Sequence, residues 1–207
     1  MNPDRGVFAR DTLEFGRALS LIDAIFGFSL TLLVTTLDVP PAAAWASLGA
    51  LLSTGLGSQL LAFAISFVVV VGFWVSNHQM LSSFRALDTA TMRVCIYLVG
   101  LVIFIPFTTK TISAPDPARH PLPTAVYAAN IAAIVLVTVA LIFVGRSRGL
   151  VDRNLPVAGL IAHSLAVAAV FLISIPIAYI LGPNAAKWSW LSLIVISPAV
   201  GLAVRRR

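Results

Sequence analysis

The sequence predicts an all-α integral membrane protein, a single six-helix bundle domain over residues 1–207. Three observations predict it. Hydrophobic residues make up 59% of the chain and charged residues only 11%, where soluble domains carry about 25%. Mean hydropathy is +0.98. The apolar residues fall into runs close to the roughly 20 residues that cross a bilayer core. A formal net charge of +6 would suggest nucleic acid in a soluble context. Here the basic residues sit between apolar runs, which is a topology signal.

The first helix is expected over 18–38, stopping before Pro40-Pro41. A secretory hydrophobic region is about 7–15 residues. The run from Leu19 to Leu37 is longer, so it reads as a span and not as a cleaved leader. The second helix is expected over 56–84, with a weaker helix near Trp45–Thr54 leading in. The third covers 89–112 and holds Pro106, which frees a backbone carbonyl and kinks the helix. The fourth covers 122–145, the fifth 156–181 and the sixth 187–204.

Counting basic residues orients the bundle. With six spans, one side receives Arg5, Arg10, Arg17, Arg85, Arg93, Arg146, Arg148, Arg153, Arg205, Arg206 and Arg207. The other receives Lys110, Arg119 and Lys187. The excess places both termini in the cytoplasm and the chain in the inner membrane. The loops are short, and the Pro-rich stretch from Ser113 to Pro123 reads as an extended linker. Function therefore lies among the helices or between copies of the chain. The single Cys95 excludes an intrachain disulfide and reads as a small buried hydrophobe. No Gly-x-Ser-x-Gly turn, phosphate loop, zinc motif or dinucleotide fingerprint is present, so an enzyme is not expected. The potassium-filter sequence Thr-Val-Gly-Tyr-Gly is absent too.

Charges at membrane depth face a bundle interior or water. Asp23, about one turn into the first expected helix, is the main candidate, with Arg17 able to snorkel nearby. Asp23 fits either a salt bridge holding the fold or a relay for protons or cations. Phe28, Thr31, Leu32, Thr35 and Asp38 follow spacings of three and four along one helix face. Asp23 lies about 140° around the helix from Phe28. The threonines suit helix-to-helix or own-backbone bonds, or a water-facing stripe. In the second helix Trp74 and His78 share a face, with Asn77 beside them. Together they could bond to Asp23 or Arg17. No second histidine sits at metal-ligand spacing to His78, so no metal site is expected.

These residues carry a resemblance. Arg17, then Leu21-Ile22-Asp23, then Thr31-Leu32-Leu33 resemble the first-helix pattern Arg-x-x-x-Phe-Ser-Asp…Thr-Leu-Leu of the transmembrane protein 175 family. These are lysosomal and prokaryotic potassium channels, and this chain is similar to a bacterial single-repeat member. Ser66-Phe67, Phe73-Trp74, Asn77-His78 and Pro106-Phe107-Thr108-Thr109 match its style. The likeness covers about residues 17–112. It implies a homotetramer whose first helices surround a central axis. Phe28 would form the constriction and Thr31 a selective ring, with Leu32 and Thr35 continuing the lining. Arg17, Asp23, Trp74 and His78 would tie the helix to its surroundings. Two positions depart from the pattern: Leu21-Ile22 replaces Phe-Ser, and Phe28 replaces a smaller Ile.

The expected function is therefore passive potassium conduction, with Asp38 as an outer acidic ring. Expected partners are further copies of the chain, the bilayer and the permeant potassium ion. No cofactor and no nucleic acid are expected. A proton-coupled transporter using Asp23 and His78, or a non-conducting membrane scaffold, are the rival readings.

Overall fold

The computed structural model describes residues 6–152 and 157–193. The protein is an all-α bundle with one small β pair at one end. Strand β1 (Val7–Ala9) pairs antiparallel with β2 (Ala86–Asp88), Phe8 opposite Leu87. Two three-residue strands are too short to announce themselves by alternation, and the sequence reading holds no strand.

Helix α1 (Leu13–Leu33) begins five residues before the expected start because Thr12 caps it, accepting from Phe15 N–H. A capping threonine satisfies an orphan donor of the first turn. The helix runs into a 3-10 turn, Val34–Thr36. A 3-10 segment at Ala42–Ala46, the one-turn α2 (Leu48–Leu51) and a π turn at Leu52–Leu56 lead to α3 (Gly57–Ser82). Gly55 takes φ +84° at that kink, a left-handed conformation that glycine adopts without penalty.

Helices α4 (Thr89–Ile103) and α5 (Ile105–Ser113) form the third membrane segment, broken at Phe104 just before Pro106. Proline lacks the N–H and clashes with the preceding turn. Asn130 Nδ2 donates to the Leu101 carbonyl there at 3.2 Å, and Thr108 Oγ1 donates to the Ile105 carbonyl at 3.0 Å. The Phe104 N–H donates back to the Leu101 and Val102 carbonyls, so backbone and side chains together satisfy the break, as they must away from water.

Helix α6 (Pro121–Ser147) is the central element, packed against α4, α5 and α7 (Val157–Ile180). Tyr127 is fully buried on it and stacks within 5.0 Å of Trp190. Ser66 Oγ on α3 lies 3.1 Å from Tyr127 OH and 2.8 Å from Thr109 Oγ1 on α5. This hydroxyl cluster joins three helices inside the core.

Five helical segments among the described residues are long and apolar enough to cross a membrane: Leu13–Thr36, Leu48–Ser82, Thr89–Ser113, Pro121–Ser147 and Ala158–Ile180. The protein is a multi-pass membrane protein. The expected sixth helix, 187–204, falls for the most part outside the described residues. What is described there is a short helix α8 (Pro183–Ser189) and a 3-10 turn, Trp190–Ser192.

Candidate pore-lining face

Helix α1 has two unlike faces. Ile22, Phe26, Ser29, Leu33 and, in the following turn, Thr36 are buried against the rest of the subunit. On the opposite side Phe28 is 68% exposed and Leu32 47% exposed, and Thr31 and Thr35 are exposed as well. An isolated subunit therefore offers this stripe no partner among the described residues.

The threonines on the stripe bond locally. Thr31 Oγ1 donates to the Phe28 carbonyl at 2.8 Å, and Thr35 Oγ1 donates to the Leu32 carbonyl at 2.7 Å. A hydroxyl carries one proton and two acceptor lone pairs. With the proton turned inward, the oxygen presents lone pairs outward. Such an oxygen can accept from water or meet a cation.

Asp38 sits beyond the 3-10 turn and is less free than an open acidic ring requires. Lys110 Nζ lies 3.2 Å from its Oδ1, and Gln59 Nε2 donates to its Oδ2 at 3.3 Å. Nothing in the sequence around Asp38 points to Gln59 or Lys110 as its partners. They come from α3 and α5, 21 and 72 residues away, which no local spacing reveals.

The polar group around Asp23 is only partly assembled. Trp74 Nε1 donates to Asp23 Oδ1 at 2.9 Å, while His78 Nδ1 lies 3.9 Å from Oδ2. The Trp74 and His78 rings are 5.9 Å apart. Arg17 is exposed on α1 and joins neither. Asn77 turns the other way, into the core: it is 2% exposed, and neither amide atom has a partner among the described residues.

At the opposite end from Lys110, basic side chains hold the turn between the second and third segments. Arg10 donates to the Ser82 carbonyl, Arg85 pairs with Asp152 at 3.2 Å, and Arg148 pairs with Asp88 at 2.8 Å. Separately, a cavity of about 460 Å³ lies between α3, α6 and α7, lined by Phe73, Ser76, Thr138 and His163 among others. None of its described lining residues belongs to α1. No group of His, Cys, Asp and Glu able to hold a metal occurs among the described residues.

The family described as "Endosomal/lysosomal potassium channel TMEM175" matches residues 17–106. That stretch holds most of α1, the Trp74–His78 turn of α3 and the break before Pro106. A potassium channel of Streptomyces collinus is 29% identical over 137 residues, covering 63% of this chain and 61% of that protein. A potassium channel of Chamaesiphon minutus is 30% identical over 138 residues, covering 66% of each. The chain thus spans about three-fifths to two-thirds of the length of these curated relatives. Among solved structures, the crystal structure of a lysosomal potassium-selective channel TMEM175 homolog from Chamaesiphon minutus matches with a TM-score of 0.74 at 23% identity. It covers 91% of this chain and 99% of that one, so the two share a fold. The matched segment, the bacterial relatives and the common architecture agree: this chain belongs to the TMEM175 family.

Proposed function

We propose that copies of this chain assemble as a homotetramer around an axis lined by α1 and form a potassium-permeable channel in the inner membrane. The observation that carries this reading is the split of α1. One face is buried in its own subunit, and the Phe28, Thr31, Leu32, Thr35 face is exposed. An exposed face needs either lipid or another copy against it. Its two threonine oxygens can still accept on a wet axis. The relatives' names as potassium channels support the same conclusion.

In this arrangement Phe28 forms an apolar constriction, and apolar constrictions gate by dewetting. Thr31 and Thr35 supply oxygens that replace part of a cation's hydration shell. The Arg10, Arg85 and Arg148 end faces the cytoplasm by the positive-inside rule, which puts the N-terminal end of α1 inside and Asp38 outside. Asp23 and Trp74 fix α1 against α3, so Asp23 acts as a tether for the pore wall.

Potassium efflux from liposomes carrying the purified chain tests the proposal. The wild type is expected to pass potassium down its gradient, and Phe28→Ala to raise the flux several-fold. An unchanged flux in Phe28→Ala rejects the constriction.

A further inference from the structure

The far end of the α1 stripe carries an ion pair with a consequence for conduction. Asp38 has both carboxylate oxygens engaged, one by Lys110 and one by Gln59. Gln59 also accepts from the Asp38 backbone N–H at 2.8 Å. Three elements meet here: the end of α1, the first turn of α3 and the last turn of α5.

The two partners differ in kind. Gln59 is 5% exposed. It grips Asp38 by side chain and backbone together, so it fixes the carboxylate in place. Lys110 reaches the same carboxylate from the solvent side, and both charged side chains are about half exposed. An ion pair this wet is worth little to stability. Its effect on the local field is another matter. At low ionic strength a charge is felt over tens of ångströms, and a mouth lined by one sign of charge concentrates counter-ions.

We propose that Lys110 is an electrostatic brake on cation access to the outer mouth. It neutralises an Asp38 carboxylate that Gln59 would otherwise hold ready to gather potassium. The inference rests on the reading of α1 as the pore wall. It adds that conduction is set by the balance of a charge pair at the mouth as well as by Phe28. Symmetry multiplies each charge by the number of subunits. Removing the ammonium unmasks a ring of carboxylates, and removing the carboxylate leaves a ring of ammonium groups that repels potassium.

The test compares potassium efflux for the full chain and three variants in liposomes at low and high salt. Near 10 mM ionic strength Lys110→Gln is expected to raise the flux by about twofold or more, with Asp38→Asn lowering it to a similar degree. The double variant is expected to offset the two single effects. All differences should shrink toward about 1 M salt, where the Debye length falls to about 3 Å. A merely structural staple gives a different pattern: both single variants change the flux in the same direction, independently of salt. Either that pattern or an unchanged flux in Lys110→Gln at low salt overturns the inference while leaving the pore intact. Absence of flux in both the wild type and Phe28→Ala overturns the pore reading and this inference with it.

Discussion

Thr31 and Thr35 show how little of a side chain's role lies in its spacing. The three-residue and four-residue intervals put them on one face, but the interval does not say where the hydroxyl proton goes. The structure sends it to the carbonyls of Phe28 and Leu32. Thr31→Val keeps the shape and removes the oxygen. It should lower potassium flux while leaving the oligomer unchanged by size-exclusion chromatography in detergent; equal flux would show that the oxygen contributes nothing to permeation. Trp74 makes a second single-residue case. Its indole N–H bonds a carboxylate, a class of bond worth about 1.5–3 kcal/mol, and the partial exposure of Asp23 discounts it. Trp74→Phe is therefore expected to cost about 1 kcal/mol in thermal unfolding. The Asp23–Trp74 contact was legible from a membrane-depth acid and a nearby polar turn. The inward turn of Asn77 was not, because one residue of helix rotation separates it from His78.

At the scale of elements, two close fits decide how the helices are held at the arginine-rich end. Gly145 on α6 lets Phe84 and Val151 approach so closely that an added Cβ would lie 2.5 Å from the Phe84 ring. Gly145→Ala should destabilise the protein by about 1–3 kcal/mol through overpacking, read as a lower midpoint in thermal unfolding. Asp88 caps α4 with bonds to the backbone of Ala90 and Thr91 and the Thr91 hydroxyl, and it pairs with Arg148. Burial raises its pKa, but the Thr91 and Ala90 bonds and Arg148 outweigh that and hold it below 3.8. Its contribution is therefore complete above pH 3.8 and is lost as pH falls through the lowered folded value. Asp88→Ala should cost about 1 kcal/mol at neutral pH, with the difference from wild type closing as the acid limit is approached. The break at Pro106 was readable because proline acts through its own ring and missing N–H. The early start of α1 and the β pair were not. A cap and two three-residue strands depend on partners at Phe15 and Leu87 that no apolar run contains.

For the whole molecule, hydropathy made the membrane class and the helical architecture plain, since continuous apolar runs near 20 residues fit spanning helices and not the short alternating strands of a barrel. What the sequence withheld is which face of each helix meets its own subunit. Burial of Ile22, Phe26, Ser29 and Leu33 answers that for α1 and leaves the Thr31 and Thr35 side exposed on the single subunit. A pore walled by α1 requires this side to meet water on the axis. The direct measurement is Thr35→Cys in liposomes, treated from outside with a charged, water-soluble thiol reagent while potassium flux is followed. The native Cys95 is buried and should stay silent. Position 35 is expected to react and the flux to fall. A cysteine there that resists the charged reagent, yet reacts with a membrane-soluble one and leaves conduction unchanged, would place this face against lipid and rule out a pore walled by α1.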